Sequence, residues 1–149
     1  MTQLTKTNAH HPDFDQLVQQ LNADLAARDG IDHPLAQFNS ITHLQYVILA
    51  YKNGQAVGCG AIAAYDEQAM EVKRMYVVAA QRGQRIGEQI LIALEKWAQE
   101  LGSQKCVLFM GAKQPEAQQL YLRNGYREIE KYGLLKKIED SICLAKDLK

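Results

Sequence analysis

The chain has 149 residues, a length that suits one domain with its own hydrophobic core, and we expect a single domain over residues 1–149. Apolar residues make up 47% of the chain and charged residues 23%, which is usual for a globular protein. Because 17 basic side chains balance 17 acidic ones, we expect no binding to nucleic acid or to an anionic membrane surface.

The cysteines, the histidines and the apolar runs exclude several further classes of protein. The three cysteines are odd in number and lie in apolar runs, which favours buried reduced thiols over disulfides. The four histidines show no helical ligand pairing and no nearby cysteine pair, so we expect no metal site. No run approaches the ~18 apolar residues of a membrane-spanning helix, and the amino terminus is polar, so we expect a cytoplasmic protein.

Hydrophobic periodicity and turn residues predict a strand and a helix, then three strands, and then alternating helices and strands. The predicted elements are an edge strand over residues 3–8, a helix from Pro12 to Asp29, strands Leu44–Tyr51, Ala56–Tyr65 and Met70–Val78, a helix from Ile86 to Leu101, a strand Cys106–Met110, a helix from Pro115 to Asn124, and strands Tyr126–Ile129 and Ser141–Ala145. Residues 31–40 are predicted to form a loop with a short helix. This order indicates an α/β fold with a mixed sheet and helices on both faces.

Glycines and one continuous apolar run add local detail to this prediction. Asn53-Gly54 between two strands predicts a type I′ hairpin. Gly58 and Gly60, inside the second of these strands, predict a bulge or close packing. The apolar run Cys106–Met110 is typical of a strand buried on both faces of a sheet.

The segment Gln81–Glu88 joins a strand to a strongly periodic helix and has the composition of a phosphate-binding loop. The first N–H groups of a helix lack intrahelical partners, and the helix dipole adds partial positive charge at the same point. Gly83 and Gly87 have no Cβ atom, so a phosphate can approach the main chain closely. Arg82 and Arg85 add cations that can bind phosphate oxygens in a bidentate manner. The segment therefore predicts a diphosphate site.

Two familiar phosphate loops do not fit this segment, whereas a third pattern does. The Walker A spacing is absent, and the dinucleotide fingerprint needs three glycines after the first strand of its unit. Arg82–Gly87 resembles the acyl-CoA loop of the GNAT N-acetyltransferase superfamily, R/Q-x-x-G-x-G/A, although Arg85 stands where the first motif glycine is expected. Ala117–Tyr126 resembles a second signature of this superfamily, A-x-x-L-Y-x-x-x-G-F/Y.

The resemblance extends from about residue 3 to residue 146, and it implies a fold and a co-substrate. The implied GNAT fold has a mostly antiparallel sheet of six to seven strands, two of which splay apart to form an acyl-CoA cleft. The implied co-substrate is acetyl-CoA, whose pantetheine arm would pair with backbone groups of residues 75–77. Gln114 stands where the family usually has asparagine. The expected cofactor-binding residues are Met75, Tyr76, Val77, Arg82, Gly83, Gln84, Arg85, Ile86, Gly87, Glu88 and Gln114.

Two side chains are candidates for the proton transfers that acetylation of an amine requires. The tyrosine of the second signature is here Tyr121, and in the family this residue gives a proton to the CoA sulfur; the alternative is a tyrosine packed in the core. Glu71 opens the strand before the phosphate loop, and the resemblance makes it the candidate base, acting through water. Its alternative is a solvated carboxylate. A base contributes roughly 10²–10⁴ in rate.

The acceptor site is expected in the segments that least resemble the family, namely residues 29–39, 73–74 and 131–133. The expected acceptor-binding residues are His33, Phe38, Arg74 and Tyr132. His33 could pair with a cationic amine, and Arg74 would favour a substrate that carries a carboxylate. The alternative for most of these side chains is an ordinary solvated position.

Together, the residues and the resemblance predict an N-acetyltransferase that uses acetyl-CoA and acetylates a primary amine, here of a small molecule. The amine would attack directly in a ternary complex, without an acyl-enzyme, and the protein would be a monomer or a homodimer. One alternative is acetylation of a protein lysine or amino terminus. Another is a non-catalytic domain that binds acyl-CoA as a sensor.

Overall fold

The computed structural model describes residues 2–30, 34–35, 41 and 43–148. The strands are β1 (Thr2–Thr7), β2 (Tyr46–Lys52), β3 (Gln55–Ala64), β4 (Ala69–Val77), β5 (Lys105–Gly111), β6 (Arg127–Ile129) and β7 (Ser141–Asp147). The α-helices are α1 (Pro12–Asp29), α2 (Ile86–Glu100) and α3 (Pro115–Arg123), and short 3₁₀ turns occupy Ala79–Gln81 and Gly133–Lys137. The predicted strands and helices are confirmed with slightly different ends, whereas the predicted loop over residues 31–40 lies mostly outside the described residues.

The seven strands form one sheet in the order β1-β2-β3-β4-β5-β7-β6. Neighbouring strands are antiparallel except β4 and β5, which run parallel. This is the mixed and mostly antiparallel sheet that the family resemblance implied. At the turn between β2 and β3, Asn53 and Gly54 have φ values of 54° and 78°. Positive φ at both central residues is the type I′ geometry, so the predicted hairpin is confirmed.

Helices cover both faces of the sheet, as predicted. The side chains of α2 and α3 pack on one face, in a core that includes Ile48, Ile62, Val72, Ile90, Leu94, Leu108, Tyr121 and Leu144. On the other face, α1 packs on β2 and β3 through Phe14, Leu17, Val18, Val47 and Leu49. Burial of each such aliphatic or aromatic side chain stabilises the fold by about 1.5–3 kcal/mol relative to leaving it exposed. Within the described ranges, no helix combines the length and apolar character needed to cross a membrane.

The parallel strands β4 and β5 are paired only where they begin. Ala69–Glu71 lies opposite Lys105–Val107, and no further register joins the two strands. However, β4 continues to Val77 and β5 continues to Gly111. The strands therefore part over their second halves, as the resemblance implied, and a cleft forms between them.

A bulge in β4 shapes the wall of this cleft. The register between β3 and β4 shifts between Cys59 and Ala61, and the bulged residue Arg74 has a left-handed φ of 57°. Holding a residue other than glycine there costs roughly 1–2 kcal/mol. Opposite the bulge, a Cβ added at Gly60 would lie 2.5 Å from the Sδ atom of Met75. The close packing predicted at Gly60 is therefore present, whereas the bulge at this point lies in β4, opposite the glycine. The register between β2 and β3 also shifts, between Ala50 and Tyr51.

Candidate active site

A cleft of about 600 Å³ lies beside the second half of β4, between α1, the start of α2 and α3. The predicted cofactor-binding residues that line it are Met75, Tyr76, Val77, Arg82, Gly83, Arg85, Ile86, Gly87, Glu88 and Gln114. The remaining predicted residue, Gln84, is absent from the lining. Its side chain instead binds Lys52 and Gln81 at the outer side of the loop.

The phosphate loop leaves the first turn of α2 open to the cleft. Arg85 is the N-cap residue of this helix and makes no side-chain cap hydrogen bond. Gly83 has a φ of 82°, and a Cβ atom there would meet nothing within 4 Å. A Cβ atom at Gly87 would make ordinary contacts of 3.5 Å and 3.6 Å with Leu120 and Val77, which also line the cleft. The loop can therefore offer main-chain amides to an anion, as a diphosphate site requires.

Arg85 occupies the motif position that glycine fills in the related family, and its backbone explains how it does so. Its φ of 63° and ψ of 23° lie in the left-handed region, which glycine enters without strain. The loop therefore keeps the glycine conformation although it carries an arginine. The side chain is 73% exposed and donates from Nη1 to Oε2 of Glu88 at 3.0 Å. The side chain therefore extends away from the loop backbone toward solvent.

Glu88 contacts several polar side chains beside the first turn of α2. Besides Arg85, its carboxylate accepts a hydrogen bond from Asn124 at 3.1 Å and lies 3.5 Å from the Nε atom of Arg123. These contacts, the hydrogen bond from Arg85 first among them, lower the pKa of Glu88 below its ordinary value. Glu88 therefore stays ionised and orients two arginines beside the proposed diphosphate site.

Arg82 contacts the last residues of β4. Its Nε atom donates to the carbonyl of Val77 at 2.8 Å, and its guanidinium lies 5.5 Å from the centroid of the Tyr76 ring. Its Nη2 atom is 3.7 Å from Asp24 on α1. Arg82 therefore uses a backbone acceptor in the segment where pantetheine pairing was predicted.

Two ion pairs join the walls of the cleft. Arg28 on α1 lies 3.0 Å from Glu116 on α3 and 3.9 Å from Asp24. Since Asp24 also contacts Arg82, the charges connect α3, α1 and the phosphate loop. All four side chains line the cleft, and each is about a third exposed or more. Because solvent and salt screen such exposed charges, each ion pair contributes little to the stability of the fold.

Tyr121, which the family resemblance makes the candidate general acid, is part of the lining of the cleft. The residue is 7% exposed, and it lines the large cleft as well as a smaller cavity of about 120 Å³. No hydrogen bond to its hydroxyl is present within the described part of the chain. Burial raises the pKa of Tyr121 above its ordinary value, so the phenol keeps its proton at neutral pH.

The smaller cavity adjoins the cleft at Tyr121. The two spaces share the lining residues Leu21, Leu25, Met75, Gln114, Ala117 and Tyr121. Beyond these, the smaller cavity is bounded by Val72, Lys73, Arg74 and Phe109, with further apolar side chains. Arg74, predicted to bind the acceptor, therefore lies in the lining of this cavity.

Of the other predicted acceptor and base residues, Glu71 and Tyr132 are the two that the structure describes. Glu71 lines neither cavity; its Oε2 atom accepts a hydrogen bond from the Tyr132 hydroxyl at 2.7 Å, and its Oε1 atom is 3.3 Å from Nζ of Lys73. Tyr132 also lines neither cavity. His33 and Phe38 lie outside the described residues.

Several cleft residues were not predicted from the sequence. They are Leu21, Asp24, Leu25, Arg28, Glu116, Leu120 and Arg123. In the sequence, Leu21 and Leu25 were part of an ordinary apolar stripe, whose partner in the fold is not visible from spacing. The one local signal was the i,i+4 pair of Asp24 and Arg28 near the end of α1, a pattern that usually marks a solvated face.

The cysteines near the cleft are not suited to nucleophilic catalysis. Cys106 is fully buried in the sheet, and burial raises its pKa to about 12. Cys59 is likewise buried, with a pKa raised to about 12. Thiols are nucleophilic only as thiolates, so both are inert at neutral pH. Across the described ranges, no group of three or more His, Cys, Asp or Glu side chains could hold a metal ion.

The chain is similar to known acetyltransferases. Residues 43–128 match the model of the acetyltransferase (GNAT) domain family. The IAA acetyltransferase of Azospirillum brasilense is 32% identical over 126 residues, which cover 79% of this chain and 79% of that protein. The aminoalkylphosphonate N-acetyltransferase of Salmonella typhimurium is 31% identical over 85 residues, covering 54% of this chain and 55% of that protein.

A solved structure matches over the full length of the chain. It is the crystal structure of a Klebsiella pneumoniae subsp. pneumoniae protein assigned as an acyl-CoA N-acyltransferase, which is 29% identical. The match covers 100% of this chain and 99% of that chain, with a TM-score of 0.85. The fold described above is thus shared with a protein of this class.

Proposed function

Because the chain belongs to the acetyltransferase (GNAT) domain family, we propose that it transfers the acetyl group of acetyl-CoA to the primary amine of a small molecule. The amine attacks directly, in a ternary complex with the protein and acetyl-CoA. The observation that carries this proposal is that one cleft joins the open first turn of α2 to Tyr121. An anion-binding end and a proton-donating end in one cleft suit a phosphorylated thioester.

Acetyl-CoA supplies the activated acetyl group as a thioester, and the residues of the cleft fit its two ends. The diphosphate would lie against the amides at Gly87 and Glu88, with Arg85 and Arg123 beside it. The pantetheine arm would run along β4 past Met75. Support for this co-substrate comes from the Klebsiella structure, which is named for acyl-CoA, and from the two curated relatives, which are named acetyltransferases.

Tyr121 is the proposed proton donor to the departing thiol. Its raised pKa keeps the proton on the phenol in the free protein, and a thiolate that forms beside it can take that proton. Glu71 stays a prediction as the base. Its carboxylate is bound to Lys73 and Tyr132 and lies outside the lining of both cavities, so water would have to carry the proton of the amine to it.

The test is release of CoA thiol from acetyl-CoA by the purified protein in the presence of a panel of small primary amines. We expect saturable release that requires an amine, together with acetylated amine detected by mass spectrometry. Tight CoA binding without turnover of any amine, peptide or protein would instead indicate a sensor. Turnover of peptides but not of small amines would indicate a protein acetyltransferase.

A further inference from the structure

The cavity of about 120 Å³ beside Tyr121 has two basic residues in its lining. Among its described lining residues, the charged side chains are Lys73 and Arg74, and no carboxylate is present. Building on the proposed acetyl transfer, we propose that the acceptor is a short aliphatic amine that also carries an acidic group, a carboxylate or a phosphonate. Arg74 and Lys73 bind the acidic group, and the amine lies toward Tyr121.

Arg74 is placed in the cavity wall by its backbone and by α1. The bulge in β4 and the left-handed φ of 57° re-aim its side chain away from the regular alternation of the strand. Its Nη2 atom donates to Oδ1 of Asn22 on α1. Because Asn22 is a neutral amide, this contact orients the guanidinium without adding negative charge. A guanidinium fork fits a carboxylate or a phosphonate with two parallel hydrogen bonds.

The burial of Arg74 favours an anionic occupant further. Burial lowers the pKa of Arg74 from its ordinary value, because the guanidinium has lost part of its hydration. An anion in the cavity would replace some of that lost hydration, whereas a second cation would add repulsion. An acceptor with an acidic group is therefore favoured over a neutral amine, and a diamine is disfavoured.

Lys73 is the second cation of the cavity and is held in place by a network behind it. Its side chain is 11% exposed; its Nζ atom lies 3.3 Å from Oε1 of Glu71 and 5.6 Å from the centroid of the Phe109 ring. The other carboxylate oxygen of Glu71 accepts the hydroxyl proton of Tyr132. Since neither Glu71 nor Tyr132 lines the cavity, they position Lys73 without presenting a carboxylate to the acceptor.

The size and continuity of the cavity set the orientation and the length of the acceptor. The amine has to reach the thioester near Tyr121, which lines both spaces. The acidic group then lies at the other end, beside Arg74. Much of the remaining wall is formed by apolar residues such as Val72 and Phe109. A volume of about 120 Å³ suits an aliphatic chain of few carbon atoms.

Amines of matched length test this assignment: 2-aminoethylphosphonate, 3-aminopropanoate, n-propylamine and 1,3-diaminopropane. The readout is kcat/KM from CoA release at constant ionic strength. We expect kcat/KM for at least one acidic amine to exceed that for n-propylamine about tenfold or more, the effect of one charge-assisted hydrogen bond. We expect the lowest value for the diamine. The phosphonate and the carboxylate arms identify which acid the cavity prefers.

Variants connect this preference to the two cations. Arg74→Asn removes the guanidinium and inserts a residue that tolerates left-handed φ, and Lys73→Gln removes the ammonium. In each variant the ratio of kcat/KM for the acidic amine to that for n-propylamine should fall about tenfold. Lys96→Gln is the matched control, because it removes an exposed lysine of α2, and its ratio should equal that of the wild type.

Each outcome decides the assignment. Equal kcat/KM for the acidic and neutral amines would overturn the assignment of the acid site but leave the proposed function intact. The same conclusion would follow if the ratio of the two kcat/KM values were unchanged in both variants. If no amine turns over, calorimetric titration of the acidic amines into protein saturated with CoA decides. Binding that Arg74→Asn abolishes would support the acid site although the proposed function fails; absent binding would overturn both.

Discussion

Tyr121 packs edge-on against Tyr126, with ring centroids 5.6 Å apart and ring planes at 65°. Both rings are buried, but their hydroxyls lie in different surroundings. The Tyr126 hydroxyl is fully enclosed, whereas Tyr121 lines the cleft and the smaller cavity. Tyr126 therefore packs against the ring of Tyr121, and Tyr121 is the one of the two that lines the cleft.

Tyr121→Phe should separate chemistry from binding. The variant keeps the ring against Tyr126 and removes the hydroxyl, so we expect kcat to fall about 10²-fold. The dissociation constant for CoA and the melting temperature should change little, because the ring packing is kept. Steady-state kinetics and calorimetry measure the two effects. Tyr126→Phe is the control from the same aromatic pair and should retain kcat; a wild-type kcat in Tyr121→Phe would remove this residue from the mechanism.

The pH profile should show a rising limb without a falling one. The free acceptor amine is the reactive form, and with an ordinary pKa of ~10.4 its neutral fraction grows as the pH increases. The donor must be protonated; because burial raises the pKa of Tyr121, that form persists above the usual range of a phenol. We expect kcat/KM to increase steadily from about pH 7 to about pH 9.5. A decrease with an apparent pKa near 8, absent from Tyr121→Phe, would contradict the raised pKa.

Arg85→Gly should be tolerated, whereas Arg85→Val should not. Arg85 has a left-handed backbone, which costs roughly 1–2 kcal/mol for a residue other than glycine and more for a β-branched one. Glycine removes that strain but gains unfolded-state entropy, so we expect a change below about 1 kcal/mol in the free energy of unfolding. Chemical denaturation measures it. We further expect weaker CoA binding to Arg85→Val than to Arg85→Gly; equal stability of the two variants would contradict this backbone assignment.

Glu71→Gln distinguishes the two roles considered for Glu71. If Glu71 is the base, kcat should fall about 10²-fold or more for every amine. If Glu71 only positions Lys73, the loss should be confined to acidic amines, with kcat for n-propylamine little changed. The contacts of the carboxylate with Lys73 and Tyr132 favour the selective loss. Steady-state kinetics with the matched acidic and neutral amines distinguish these outcomes. A similar loss of kcat for every amine would support Glu71 as the base.

Local patterns were sufficient to predict most of the fold and one end of the site. Asn53-Gly54 requires positive φ at two adjacent residues, and Gly83 and Gly87 mark a loop that opens a helix, so neighbours along the chain carry the information. The same holds for Tyr121, whose spacing from Ala117 and Gly125 lies within one helix and its cap.

Contacts between distant segments could not be predicted in this way. The Arg28–Glu116 ion pair joins residues 88 positions apart, and the Tyr132–Glu71 hydrogen bond joins residues 61 positions apart. Glu71 has the strand position of a base, but a partner from the end of the chain and the adjacent Lys73 occupy its carboxylate. The charges and spacing of residues along one strand do not indicate a partner, such as Tyr132, that comes from a distant part of the chain.

CoA binding to the wild type and to two variants of Gly87 tests the central claim most directly. A methyl group at this position makes only ordinary contacts, so Gly87→Ala should bind CoA nearly as the wild type does. A Gly87→Leu side chain would project among Val77 and Leu120 into the cleft, and it should weaken binding by about tenfold or more, with the fold retained. Isothermal titration calorimetry with CoA gives the three affinities. Wild-type affinity in Gly87→Leu, or no heat and no melting shift for the wild type at millimolar CoA, would contradict the account.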